Sequence, residues 1–175
     1  MKKQNMNDKG FSLVELIIVI AIMAILIVVL APQYLRYVER SRNSTDMQNA
    51  RTMMTAIETW AADPQAGSGF GPANSTVTIT VASTGTTVAC SASTPSGTNA
   101  GQDAFTASGL VWSDIKCSSK TNWDTYVCTG TVTSSGGISW VYTSSAAGTA
   151  NNNFDNSMKG QTVAGGGAGG GGGTP

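Results

Sequence analysis

No histidine occurs among the 175 residues of this chain. Its absence excludes the Ser-His-Asp and Cys-His arrangements that activate a nucleophile. It also removes a common metal ligand, and the three cysteines show no Cys-x-x-Cys pattern of the kind found in zinc sites. We therefore predict that the chain is not an enzyme, and we predict no metal site and no cofactor.

Charged residues are also few, and the ten Lys and Arg residues balance the ten Asp and Glu residues. This balance lacks the basic footprint of a nucleic-acid-binding protein, so we predict no direct binding of nucleic acid. Beyond Pro64 the acidic residues are isolated, which is typical of solvated loops rather than of a glycosidase pair. These residues are Asp103, Asp114, Asp124 and Asp155.

A long apolar run begins close to the N-terminus and extends from Leu16 to Ala31. The 21 residues from Phe11 to Ala31, at about 1.5 Å per residue, match the ~30 Å hydrocarbon core of a bilayer. We predict a membrane-spanning helix. Glu15 lies near its start, where an ionised carboxylate costs roughly 2.5–3.5 kcal/mol and therefore suggests a functional partner. The alternative is that Glu15 merely reaches back to the lipid headgroups.

The ten residues that precede this helix form a short, polar and basic segment that ends in Gly10. A secretory signal places its apolar stretch before the cleavage site, whereas here the apolar stretch follows the expected cut. The residues Lys9-Gly10-Phe11-Ser12-Leu13-Val14-Glu15-Leu16 resemble the processing site of type IV prepilins and the related pseudopilins. A proline and aromatic residues after the apolar run, Pro32, Tyr34 and Tyr37, extend the likeness over about the first third of the chain.

The resemblance implies that residues 1–10 are a leader peptide. A dedicated prepilin peptidase would cut between Gly10 and Phe11 and methylate the new N-terminus to N-methylphenylalanine. The free amine of Phe11 and the carboxylate of Glu15 would then lie one helical turn apart. In a bundle of such helices, Glu15 can instead pair with the amine of a neighbouring copy, which fixes the register of assembly.

Charge alone does not settle the orientation, because basic residues flank the apolar run on both sides. The resemblance places the leader in the cytoplasm and the remainder outside. It implies a prepilin with a single pass through the inner or cytoplasmic membrane, and later an extracellular pilus on the bacterial surface. Loss of the leader would leave seven basic and nine acidic residues, a net charge of −2.

Helical periodicity resumes after Pro32, with an apolar stripe from Met47 to Ala61. We predict a nearly continuous helix over 11–62, with a kink at Pro32 where a backbone hydrogen bond is lost. The polar stretch Glu39–Asp46 is interpreted as an exposed face with weak ion pairs of Glu39 with Arg36 and Arg42, and of Asp46 with Arg42.

The remaining sequence alternates with a period of two, which predicts strands. Val77, Ile79 and Val81 lead through a turn at Thr84-Gly85 into one hairpin, and Tyr126 to Tyr142 form a second around Ser135-Gly136-Gly137. We predict an α+β, pilin-like fold in which the outer half of the helix packs on an antiparallel sheet.

The predicted domains are a leader over 1–10, a helix over 11–62 with its membrane or filament core at 11–31, a β-rich domain over 63–163 and a flexible Gly-rich tail over 164–175. Asp63–Asn74 and Pro95–Gln102 are predicted loops. Asn151–Asn156 lacks the spacing of a calcium loop and is predicted to be turn-rich.

Three cysteines allow three single bridges, and the sequence does not choose among them. We favour a disulfide between Cys117 and Cys128, because related proteins often staple their C-terminal region and the bridge would contribute roughly 3 kcal/mol. The alternative is three small buried thiols.

These features predict a structural subunit, the major pilin of a type IV pilus used for adhesion, motility or uptake. Its expected partners are further copies of itself in a helical filament, the prepilin peptidase, the assembly machinery and, before assembly, the membrane. The alternatives are a pseudopilin of a type II secretion or competence system, a minor tip pilin that acts as a binding module, and a membrane-anchored binding module with no assembly role.

Overall fold

The structure is a computed structural model that describes residues 11–62, 74–91, 99–135, 137–146, 149–151 and 153–160. The chain divides into two compact units, and the boundary lies between Val38 and Glu39. The predicted leader, most of the predicted loop Asp63–Asn74, half of the predicted loop Pro95–Gln102 and the Gly-rich tail lie outside the described residues.

The predicted long helix is present as α1, Leu13–Ala62. It starts two residues later than expected because Ser12 serves as its N-cap. The helix continues through Pro32, whose ring nitrogen carries no hydrogen to donate. The kink at Pro32 stays a prediction.

In the part of the chain that the structure describes, five antiparallel strands form one sheet in the order β2-β1-β3-β4-β5. Their bounds are β1 Thr76–Ala82, β2 Gly85–Cys90, β3 Thr125–Val132, β4 Ile138–Ala146 and β5 Thr149–Asn151. Both predicted hairpins are confirmed, and so is the α+β class. The first turn lies at Ser83-Thr84, one residue earlier than predicted, because Ala82 pairs with Gly85. Gly85 has φ +144°, which favours glycine at that position.

Two short helices stand where loops were expected. Helix α2, Ala100–Ala107, begins inside the predicted loop Pro95–Gln102, and helix α3, Asn153–Met158, occupies part of the predicted turn-rich stretch. The Asn99 side chain caps α2 by accepting a bond from the Gly101 N–H at 3.1 Å. Helices this short contain too few turns to show an amphipathic repeat, so periodicity did not reveal them.

The core lies between the outer part of α1 and one face of the sheet, inside the unit that begins at Glu39. Met53 and Ile57 are fully buried with Val77, Ile79 and Val81, which confirms the apolar stripe of α1. Aromatic side chains close the core beside α3. Phe154 stacks on Tyr126 with ring centroids 4.3 Å apart and meets Trp123 edge-on at 5.3 Å.

Candidate assembly site

Four residues at the start of α1 form a capping box. The hydroxyl of Ser12 accepts a hydrogen bond from the Val14 N–H at 3.3 Å, and the Glu15 carboxylate accepts one from the Ser12 N–H at 3.2 Å. This reciprocal pattern satisfies N–H groups that otherwise lack a partner at a helix start. The Ser-x-x-Glu spacing is a local sequence signal for such a box, which the charge of Glu15 alone does not reveal. Glu15 therefore stabilises its own helix in addition to any role between copies.

The apolar side chains of α1 that precede Pro32 are exposed. By length and composition, this helix is able to cross a membrane, and its most apolar window has no buried residue. Glu15 is the single acidic residue between Phe11 and Val38. A large uncovered apolar surface marks a site of contact with lipid or with other protein. The first unit thus presents one surface suited to a membrane and, equally, to packing against copies of itself.

The residues predicted for processing and assembly are only partly visible. Phe11 is 90% exposed, and Gly10 lies outside the described residues. Phe11 still carries a peptide nitrogen in the unprocessed chain, so no amine is available to Glu15. The Glu15 carboxylate instead accepts a hydrogen bond from the Ser12 N–H. The cleavage, the methylation and the pairing of Glu15 with a neighbour stay predictions.

A second carboxylate pair, which sequence reasoning had placed on an exposed face, is buried instead. Glu39 and Asp46 hold the loop 117–123 against the helix, and we call this arrangement the carboxylate clamp. Asp46 is fully buried and accepts bonds from the Ser118 N–H at 2.8 Å, the Ser119 N–H at 3.0 Å and the Trp123 indole N–H at 2.9 Å. The prediction of a wholly exposed stretch Glu39–Asp46 is therefore wrong.

Glu39 completes the clamp about two turns further toward the N-terminus. A single oxygen of its carboxylate accepts bonds from the Ser119 hydroxyl at 2.6 Å and from the N–H groups of Lys120 and Thr121 at 2.8 and 3.0 Å. Its other oxygen lies 3.5 Å from the Arg42 guanidinium, which confirms that predicted ion pair. Desolvation by burial acts to raise the pKa of Glu39, but these hydrogen bonds outweigh it and lower the pKa to about 2.

All three cysteines lie in described parts of the chain, and all three are free thiols. The favoured disulfide between Cys117 and Cys128 is thus absent from the structure, and the alternative of small buried thiols describes Cys117 and Cys128. The Cys117 thiol takes part in the clamp, where it donates to Asp46 at 3.5 Å. Burial raises the pKa of Cys117 to about 12, with the Asp46 charge as a further cause, and burial alone raises the pKa of Cys128 to about 12.

An open groove of about 1100 Å³ separates α1 from α2. Among the described residues, its lining is mainly apolar and hydroxyl-bearing, and Arg51 is the one charged side chain there. It therefore offers no pair of carboxylates for acid and base chemistry. Within the described ranges, no group of three or more Cys, Asp and Glu residues is arranged to hold a metal ion.

The fold and the site together define a pilin-like protein: a capped, membrane-length apolar helix whose polar continuation packs on an antiparallel sheet. A model of the prokaryotic N-terminal methylation motif matches residues 5–31. Over 60 residues the chain is 47% identical to the type IV major fimbrial protein FimA of Dichelobacter nodosus, covering 34% of this chain and 38% of that protein. A second FimA sequence from the same organism is 48% identical over 56 residues, covering 32% and 36%.

The chain spans little more than a third of the length of these relatives. No solved structure matches it significantly. The N-terminal segment is similar to that of type IV major fimbrial proteins, so the resemblance drawn from the residues around Gly10 is confirmed. The hairpins and the carboxylate clamp lie beyond the part that the methylation motif covers.

Proposed function

We propose that this chain is the major structural subunit of a type IV pilus. The leader is removed between Gly10 and Phe11 by a prepilin peptidase, and Phe11 becomes the methylated N-terminus. Before assembly, the prepilin resides in the cytoplasmic membrane, which it crosses once with the helical segment 11–31. The assembly machinery then moves it into an extracellular filament of identical copies, whose role is mechanical rather than enzymatic.

The proposal is carried by one observation: the exposed, membrane-length apolar segment 11–31 contains a single acidic residue, Glu15, and lies within the match to the methylation motif. Lipid covers that surface before assembly, and neighbouring helices cover it afterwards. In both settings an unpaired carboxylate is costly. A neighbour's N-terminal amine removes the cost only at one axial offset, so Glu15 selects the register in which copies assemble.

The capping box requires a test that separates two roles of Glu15. Glutamine replaces glutamate in capping boxes but carries no charge. Glu15→Gln therefore keeps the local cap and loses the ion pair. Ser12→Ala is the matched control, because it weakens the cap by about 1 kcal/mol and leaves the charge in place.

The measurement is the yield of filaments sheared from cells, alongside the amount of chain retained in the membrane. We expect Glu15→Gln to accumulate as a membrane protein without filaments, and Ser12→Ala to assemble. Wild-type filament yield from Glu15→Gln would refute the pairing. Mass spectrometry of the wild-type filaments should find methylated Phe11 at the N-terminus, and this chain should be their dominant protein. A trace amount would indicate a minor pilin or pseudopilin instead.

A further inference from the structure

Strand β4 forms an open edge of the sheet over most of its length. Its inner side pairs with β3 from Ile138 to Ser145, but on its other side β5 pairs only with Ser144, Ser145 and Ala146. Among the described residues, no strand pairs with the outer side of β4 over 138–143. Such an edge presents a row of backbone donors and acceptors to any further strand.

The ladder shows which groups face outward. The Thr133 N–H donates to the Gly137 carbonyl at 2.8 Å, so Thr133 and Gly137 are a hydrogen-bonded pair. In an antiparallel ladder such pairs alternate with non-bonded ones, and odd-numbered residues of β4 therefore face β3. The N–H and C=O groups of Ile138, Trp140 and Tyr142 point to the open side. These six groups supply the backbone donors and acceptors that one additional strand needs for pairing.

The side chains of this edge lack the usual protection against strand addition. Residues 138–143, Ile-Ser-Trp-Val-Tyr-Thr, include no charge and no proline, and β-branched and aromatic types favour a strand. Ser139, Val141 and Thr143 point to the outer face and are exposed, with Val141 at 59%. Thr129, paired with Val141 one strand further in, is only half-exposed. The contrast fits a strand that lacks a neighbour on one side.

The large rings of β4 are held on the inner face. The Trp140 indole N–H donates to Glu58 at 2.7 Å, and the ring lies over Gly130, where a Cβ atom would approach it to 3.0 Å. Trp140 is thus fixed from two directions, by α1 and by β3. Its backbone N–H and C=O groups lie on the side of β4 away from β3.

We propose that this edge pairs with the same edge of a second copy of the chain, antiparallel and centred on Trp140. That register sets Trp140 against its counterpart and Ile138 against the partner copy's Tyr142 position, so all six groups of each copy meet a partner edge. The absence of charge means that two identical edges meet without repulsion. No other register of two copies joins all three outward-facing residues.

This contact has two-fold symmetry, whereas growth of a helical filament needs head-to-tail contacts. It therefore joins copies that belong to different filaments, an inference that rests on the proposed function. One six-residue strand pair is weak by itself. Repetition along two filaments makes the association strong, because each contact raises the effective concentration of the next.

The test is thiol cross-linking in filaments sheared from cells. All variants carry Cys90→Ser, which removes the half-buried native thiol. In the proposed register, Val141→Cys lies roughly 7–8 Å diagonally from its counterpart, within reach of a short bis-maleimide. Thr129→Cys is the matched control on the same face. Three strand spacings, about 14 Å, separate it from its counterpart.

We expect covalent dimers from Val141→Cys and none from Thr129→Cys. A second variant, Val141→Lys, should separate bundled filaments into single ones in electron micrographs without lowering filament yield, whereas Thr129→Lys should leave the bundles intact. Filaments that form normally but give no Val141→Cys dimer would overturn this inference alone. A failure to form any filaments would overturn the proposed function and this inference with it.

Discussion

Replacing Asp46 by asparagine tests how strongly the carboxylate clamp stabilises the C-terminal unit. The side chain keeps its shape but loses its charge and one of its two acceptor oxygens. In wild type, one oxygen accepts from Ser118 and the other from Ser119 and Trp123, with the Cys117 thiol at 3.5 Å. An asparagine whose side-chain oxygen still accepts from Ser119 and Trp123 must turn its NH₂ group toward the Ser118 N–H.

The magnitude follows from these contacts. Hydrogen bonds to a charged group contribute about 1.5–3 kcal/mol each, and a buried donor left unpaired costs about 1–3 kcal/mol. Removing one partner of a buried charged arrangement typically costs about 3–5 kcal/mol. We expect Asp46→Asn to lower the free energy of unfolding by about 3 kcal/mol, and Tm by roughly 10 °C.

Thermal unfolding of the full chain in detergent, followed by tryptophan fluorescence, measures this change. Trp123 reports on the clamp directly because its indole N–H is bonded to Asp46. Asp114→Asn is the matched control, since it removes the same charge from an exposed carboxylate and should change stability by less than about 0.5 kcal/mol. A loss below about 1 kcal/mol for Asp46→Asn would refute the view that the clamp holds the loop 117–123.

Further predictions concern pH, packing and thiol chemistry. The pKa of Glu39 is lowered from 4.5 to about 2 on folding, so its contribution is complete above about pH 4.5 and is lost as the pH falls toward 2. Urea unfolding at several acidic pH values should show a loss of roughly 3 kcal/mol over that window, and Glu39→Gln should flatten it. Gly130→Ala should destabilise by about 1–3 kcal/mol in urea, because its Cβ atom would lie 2.7 Å from the Ile138 side chain. Cys117 and Cys128 should resist a thiol reagent near pH 8 in the native state, and three thiols should react after unfolding without reductant. One reactive thiol would indicate a disulfide.

The elements that local sequence specifies were predictable, and those that depend on distant backbone were not. Alternation of Val77, Ile79 and Val81 indicated a strand because each residue's face depends only on its neighbours. Asp46 looked exposed because the stretch around it is polar on every side. Its true partners are backbone N–H groups more than seventy positions away, and every non-proline residue has such a group. The Ser12 and Glu15 capping box was within reach of sequence reasoning, since its signal is local.

The sequence distance that the clamp bridges has a consequence for biogenesis. Glu39 and Asp46 are synthesised 71 to 82 residues before the groups that bind them. Contacts of such long range are slow to form, because a large loop must close before they contribute any stability. Until the loop 117–123 emerges, two carboxylates keep the adjoining turns of the helix hydrated. The unit that begins at Glu39 should therefore fold late, once most of the polypeptide has been translocated. Truncation before residue 117 should leave the helix around Glu39 and Asp46 without its tertiary packing.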